Sequence, residues 1–123
     1  MKIEVSNGEL LDKLSILEIK REKIMDPQKL ININSEYTLL KPLAESLLQS
    51  IKTLYASLLE INLSLWEIED IIRNFEQKQD FGQEFIKTAR SVYVLNDERA
   101  RIKKEINSIT NSGVIEEKSY AGY

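Results

Sequence analysis

The residues of this chain that could do chemistry are polar side chains at positions where a helical core is expected to be apolar. Arg21 and Arg99 each interrupt a seam of apolar residues spaced alternately four and three apart, and Asn62 and Glu69 flank a third seam. A buried guanidinium requires an anion or a carbonyl as its partner. These four residues are therefore candidates for a polar core layer or an anion-binding site inside a helical bundle. The alternative is that both arginines extend outward or pair with Glu18, Glu60 or Glu69.

The composition limits what such a site could do. The 123 residues include no cysteine and no histidine, which removes thiolate catalysis, the usual general base and the commonest metal ligand. We therefore expect no metal site and no cofactor. The catalytic residues remain unknown, and the sequence leaves open whether the protein is an enzyme.

Charge and hydropathy restrict the partners. The net charge is −3, with acids and bases interspersed, which disfavours a nucleic-acid partner and an anionic membrane surface. The chain has neither an apolar run long enough for a membrane span nor the pattern of a signal peptide. These features predict a cytoplasmic protein without a membrane partner.

A long heptad pattern organises the middle of the chain. Its apolar residues are Leu47, Ile51, Leu54, Leu58, Ile61, Leu65, Ile68, Ile72 and Phe75. Steps that alternate between four and three predict a long helix with a packing seam. A second apolar row runs from Leu48 to Trp66 beside this seam, so this helix is expected to contact more than one neighbour.

The same analysis of the whole chain predicts an all-α fold with helices at about 7–25, 27–41, 43–78 and 81–109. Facing seam positions pair these helices into two antiparallel hairpins, which form a bundle or a coiled-coil-like assembly. Pro42 is expected either to kink one very long helix or to begin a new one, because it lacks a backbone donor. Residues 1–123 form a single helical domain, in which 111–123 are a non-helical C-terminal tail.

The start of the first helix has two interpretations. Ser6 and Glu9 have the spacing of a capping box, in which each side chain accepts a hydrogen bond from the other residue's amide. Alternatively, free amides at this terminus would bind an anion, and Gly8 would let the ligand approach. The box is favoured because it satisfies the amides itself.

The aromatic residues indicate where a partner could bind. Trp66 lies at the edge of the long seam, and Tyr120 and Tyr123 lie in the tail, which is expected to dock on the bundle or on a partner chain. We regard all three as candidate interface aromatics. The apolar stripes are wider than two helices can cover, which predicts a homo-oligomer, with a dimer favoured.

Several short stretches carry a resemblance to a known family. They are VSNGELLDK at 5–13, LWEIED at 65–70, DFG at 80–82, ARSVY at 89–93 followed by Asn96-Asp97, and EEKSY at 116–120. Together they resemble a family of small all-helical bacterial and phage proteins known only as a domain of unknown function. The resemblance covers nearly the whole chain and implies no activity. A weaker likeness, which rests only on the type of the residues Arg21 and Arg99, is to the all-helical chorismate mutases. Those enzymes bind a dianionic substrate with buried arginines.

Two hypotheses follow. The leading one is a non-enzymatic, self-associating interaction module. The alternative is a small-molecule anion-binding protein or an enzyme that uses buried arginines, in the manner of the chorismate mutases. The variant Arg99→Leu separates them: in a purely structural protein we expect it to be neutral or stabilising. In a binding protein it would leave the fold intact and abolish an anion-dependent thermal shift.

Overall fold

The computed structural model describes residues 1–123 as four helices without strands. They are α1 (Asn7–Lys23), α2 (Pro27–Leu48), α3 (Lys52–Gln77) and α4 (Gln83–Ile109). The predicted all-α fold is therefore confirmed. None of the four helices combines the length and the apolar character that crossing a bilayer requires.

Local sequence signals explain three of the eight helix ends. The Ser6 hydroxyl accepts the Glu9 amide at 3.0 Å and begins α1. Asp26 accepts the Gln28 amide at 2.9 Å and begins α2, with Pro27 at the first helical position. Asn111 adopts a left-handed conformation with φ 52° after α4, as is common just beyond a helix C-terminus.

The predicted helix boundary at residues 41–43 was wrong, because Pro42 does not separate two helices. α2 continues through Pro42 to Leu48, and the chain breaks instead at residues 49–51. One intrahelical hydrogen bond is lost at a proline. Continuing the helix keeps Ala44, which is fully buried, on the face that packs against α1. Ile51 is also buried, and it anchors the start of α3.

The helices pair as expected and then pack around α1. The pairs α1–α2 and α3–α4 make the most extensive contacts. In the second pair, the rings of Phe75 and Phe85 lie 6.2 Å apart, edge to face. α1 also packs against α3 and α4, so it is the central helix that joins the two hairpins.

The buried core occupies only one end of the molecule. Its cluster consists of Leu11, Leu14, Ala44, Ile51, Leu58, Ile102 and Ile106. We call residues 6–62 and 99–112, which contain this cluster, the proximal bundle. Residues 63–98 form the rest of the α3–α4 hairpin, which we call the distal hairpin. No residue of the distal hairpin is buried, although its seam residues are apolar.

Candidate functional site

The most prominent polar feature is an ion pair between α1 and α4. The Asp12 side chain is 2% exposed, and that of Arg99 is 27% exposed. Arg99 Nε donates to Asp12 Oδ1 at 2.9 Å, and Arg99 Nη2 donates to Asp12 Oδ2. Two parallel hydrogen bonds between a guanidinium and a carboxylate fix direction as well as distance. The pair therefore sets the register between helices that are far apart in sequence.

α3 contributes an amide to the same carboxylate. Asn62, which is buried, donates through Nδ2 to Asp12 Oδ1 at 2.9 Å and to Ser15 Oγ at 2.8 Å. The Ser15 hydroxyl in turn donates to the Asp12 carbonyl at 2.7 Å. Three helices thus meet at one buried carboxylate, and its oxygens are hydrogen-bonded as a buried charge requires.

Lys103 extends this cluster towards the start of α1. Its Nζ donates to Glu9 Oε2 at 2.7 Å and lies 3.7 Å from Asp12 Oδ2. From the tail, Glu116 approaches Lys103 to 4.0 Å and accepts a hydrogen bond from Ser6 Oγ at 3.2 Å. Every cation of the cluster therefore already has a carboxylate partner.

The capping box forms only in part. Ser6 caps the Glu9 amide as predicted, but the Glu9 carboxylate is paired with Lys103 on α4. The side chain that was expected to complete a local cap therefore joins two helices.

Electrostatics keep the central carboxylate ionised. Burial raises the pKa of the Asp12 carboxyl, but hydrogen bonds from Arg99 and Asn62, together with the charges of Arg99 and Lys103, outweigh that effect. The pKa of Asp12 therefore lies below its ordinary value. The hydrogen bond to Asp12 raises the pKa of the Arg99 guanidinium. Each partner thus stabilises the charged form of the other.

A close backbone contact lies next to the charge cluster. The Gly8 amide donates to Oδ1 of the buried Asn107 at 2.6 Å. A Cβ at position 8 would lie 2.5 Å from the Lys103 carbonyl oxygen, closer than atoms can pack. The missing side chain at Gly8, which could have let a ligand approach, therefore lets helix α4 approach α1.

Arg21 does not join the cluster. It lies on the exposed surface between α1 and α2, where Nε donates to Asn34 Oδ1 at 2.9 Å. Its guanidinium carbon lies 4.1 Å from the centre of the Tyr37 ring, within the range of a cation–π interaction. The open cleft at this point also exposes Glu18 and Glu22, so its lining carries more negative than positive charge.

Glu69 also lies outside the cluster. Its carboxylate pairs with Arg73 one turn along α3 at 3.3 Å, and both side chains are more than half exposed. Of the four predicted polar residues, the structure therefore brings together only Asn62 and Arg99.

The candidate interface aromatics lie in different environments. Trp66 is half-buried in the distal hairpin, whereas Tyr120 and Tyr123 are mostly exposed. The tail runs along α4 of its own chain, where the rings of Tyr123 and Tyr93 lie 5.2 Å apart, edge to face. Its Glu117 accepts a hydrogen bond from Lys104 at 2.8 Å.

One buried hydroxyl has no partner. The Tyr55 hydroxyl on α3 makes no hydrogen bond and is inaccessible to solvent. Burial, and after it the negative charge of Glu18, raises the pKa of this phenol. The phenol therefore stays neutral and cannot serve as a base.

Sequence reasoning missed Asp12, Ser15, Lys103 and Asn107. A signal for part of this set was present, since Gly8, Leu11, Ser15 and Ile19 recur at helical spacing and give α1 a second packing face. Through its ion pairs and hydrogen bonds, the cluster can hold three helices in register. It contains no free guanidinium, and no group of acidic side chains converges as metal ligands would.

Comparison with known proteins places the chain without assigning an activity. Residues 1–123 match a family described as "Family of unknown function (DUF6165)", and the chain belongs to this family. No curated protein and no solved structure matches it.

Proposed function

We propose that this protein is a self-associating helical interaction module that forms a dimer through its distal hairpin. The observation that carries the proposal is the contrast within the α3–α4 hairpin. Its distal seam includes Leu65, Ile68, Ile72, Phe75, Phe85, Val92 and Leu95, and none of these residues is fully buried. Two helices alone rarely stabilise such a seam in water, whereas four helices enclose it.

The total surface supports the same conclusion. The chain exposes 8695 Å², whereas a compact monomer of 14.3 kDa is expected to expose about 6,800 Å². A standard interface buries about 800 Å² on each partner. The extended tail contributes to the excess surface, and the uncovered hairpin does so as well. Covering the hairpin with a second copy would remove surface of the required size.

The exposed apolar residues of the hairpin lie where such a dimer would need them. Ile71 on α3 and Val94 on α4 are 45% and 46% exposed. α2 carries an even more exposed apolar pair, Leu39 and Leu43. The opposite face of α2 is buried against α1, however, so α2 does not need a partner in order to remain folded.

The alternative function, an anion-binding protein or enzyme built on buried arginines, has less support. Arg99 is neutralised by Asp12, and Arg21 lies on the surface beside two glutamates. An incoming anion would have to displace a carboxylate that is already bound through two hydrogen bonds.

The molar mass in solution tests the proposal. We expect sedimentation equilibrium to give a dimer for the wild-type chain at micromolar concentration. The double variant Ile71→Glu/Val94→Glu should be a folded monomer, because it places two charges in the interface and alters no buried residue. The matched control Leu39→Glu/Leu43→Glu should remain a dimer.

Two results would contradict the proposal. A wild-type chain that stays monomeric at high micromolar concentration would overturn self-association. A dimer that only the α2 variant dissociates would move the interface to α2. Circular dichroism on each variant would establish that the helices are intact.

A further inference from the structure

The C-terminal tail is attached to the bundle through side chains. No backbone–backbone hydrogen bond involves residues 113–123. Within the proximal bundle, the Ser6 hydroxyl donates to the Glu116 carboxylate at 3.2 Å, and Lys104 donates to the Glu117 carboxylate at 2.8 Å. We call these two glutamates the anchors of the tail. They determine where the residues after them lie.

Beyond the anchors, the tail crosses from the proximal bundle onto the distal hairpin. Tyr123 at its end packs edge to face on Tyr93 of α4, with the ring centres 5.2 Å apart. An open cleft of about 570 Å³ remains between the tail and α4, and its mostly apolar lining includes Val92, Tyr93, Tyr120 and Tyr123. The tail therefore places two aromatic rings beside the hairpin without filling the space against it.

These two rings bury little surface within their own chain. Tyr120 is 78% exposed, and Tyr123 is 80% exposed. Because hydrophobic stabilisation is proportional to the apolar area that is removed from water, their present position contributes little to folding. A partner that covered them would remove most of two aromatic side chains from water.

The rings lie next to other exposed apolar residues of the distal hairpin. Ile86, Tyr93 and Val94 on α4 are each 43–46% exposed, and Tyr93 is so even with Tyr123 packed on it. Tyr93 follows Ile86 by seven residues and therefore lies on the same helix face. It also adjoins Val94, which belongs to the proposed dimer surface. The tail thus extends the apolar surface of the hairpin, and exposed surfaces of this kind mark interaction sites.

The area of the tail agrees with what a dimer requires. A standard interface buries about 800 Å² on each partner. Ile71 and Val94, each less than half exposed, do not provide this area by themselves. Since a buried aromatic side chain contributes about 150–250 Å², Tyr120 and Tyr123 together supply roughly a third to a half of the requirement.

We infer that the tail is a strap that carries Tyr120 and Tyr123 into the interface with a second copy of this chain. The anchors hold the strap on the proximal bundle, and the second copy covers the two rings and the cleft beside them. This inference rests on the proposed function. It adds to the hairpin a second element that contributes to the same interface.

Removing the rings tests the contact. In sedimentation equilibrium, Tyr120→Ala/Tyr123→Ala should raise the Kd of the dimer at least about tenfold, because aromatic side chains at the centre of an interface carry much of its affinity. Tyr120→Phe/Tyr123→Phe keeps both rings and should retain the affinity of the wild type. The matched control Ile31→Ala/Leu39→Ala removes two similarly exposed apolar side chains from α2 and should leave Kd unchanged.

Reversing the anchors tests the strap. Glu116→Lys/Glu117→Lys keeps both rings but makes like charges face the lysines of α4, so it should also raise Kd, by about threefold or more. The control Glu36→Lys/Glu45→Lys on α2 changes the net charge by the same amount and should leave Kd unchanged. No substituted residue is buried, and circular dichroism on each variant would establish that the helices are intact.

The contrary outcomes separate this inference from the proposed function. If the wild type dimerises and the alanine variant has the same Kd, the rings lie outside the interface, and the inference is overturned while the proposed function stands. The inference also fails if the phenylalanine variant loses as much affinity as the alanine variant, or if anchor reversal leaves Kd unchanged. A monomeric wild type would instead overturn the proposed function itself.

Discussion

The proximal bundle and the distal hairpin use charge in opposite ways. In the proximal bundle, Asp12 pairs with Arg99 and Glu9 pairs with Lys103, so that ion pairs join helices distant in sequence. Among residues 63–98, the one ion pair joins Glu69 and Arg73 within a single helix. The first arrangement fixes how the chain packs on itself. In the second, most charged side chains form no ion pair within the chain.

The largest expected effect comes from neutralising the buried carboxylate of the proximal bundle, which is compared with an exposed carboxylate of the distal hairpin. Asp12→Asn presents an amide donor to the Arg99 guanidinium and should lower the free energy of unfolding by about 2–4 kcal/mol, because a buried pair loses one charge. Its counterpart Glu69→Gln, in the exposed distal pair, should change it by less than about 0.5 kcal/mol. Urea denaturation followed by circular dichroism measures both. Equal effects would show that burial does not distinguish the two pairs.

The same result bears on Arg99→Leu. The expectation that this variant is neutral or stabilising assumed that its charge was desolvated alone. In the structure it would leave the buried Asp12 carboxylate without its main partner, so we now expect destabilisation. The double variant Asp12→Leu/Arg99→Leu should lose less stability than the two single variants together, because it leaves no unpaired charge.

A smaller loss is expected where the two backbones approach. Gly8→Ala improves helix propensity, but its Cβ would meet the Lys103 carbonyl oxygen at 2.5 Å. Because a backbone carbonyl cannot turn aside as a side chain can, α1 and α4 must separate, at a cost of about 1–3 kcal/mol. At Gly113 in the tail, an added Cβ meets nothing within 4 Å. Thermal melts should therefore show a lower Tm for Gly8→Ala than for Gly113→Ala, and the reverse order would refute the contact.

The smallest effect concerns pH. The pKa of Asp12 is lowered in the folded protein, so its stabilising contribution is complete above the unfolded value of about 3.9 and is lost as the pH falls through the folded value. The stability gap between the wild type and Asp12→Asn should therefore narrow on acidification below about pH 4. Glu69→Gln in the distal hairpin serves as the control. A gap that stays constant from neutral pH to pH 2.5 would show that the carboxylate contributes nothing through its charge.

Much of the fold follows from apolar spacing. The seams predicted the four helices and their pairing into hairpins, because neighbouring antiparallel helices must match along their length. The spacing could not place the break between α2 and α3, since the apolar register passes through Pro42 and equally through the observed break at residues 49–51. Packing between distant helices decides such a boundary, and no local pattern reveals it.

The site was only partly predictable for a similar reason. Asn62 and Arg99 could be found because they interrupt or flank an apolar seam. Asp12 could not, because an acid one turn into an amphipathic helix ordinarily faces solvent. α3, which supplies Asn62, and α4, which supplies Arg99 87 residues later, make that position interior. Arg21 satisfied the same rule as Arg99, but it lies near the exposed end of α1, where no third helix covers it.

The long separation between Asp12 and Arg99 has a consequence for synthesis on the ribosome. The chain emerges from its N-terminus, so α1 and α2 are made well before the helix that supplies Arg99, Lys103 and Asn107. At roughly 5–20 residues per second, the 87 residues between Asp12 and Arg99 correspond to a delay of about 4–17 s. During that time the Asp12 carboxylate lacks its guanidinium partner, and the face of α1 that packs on α4 is uncovered. The nascent chain therefore completes its central helix packing only when α4 has left the ribosome.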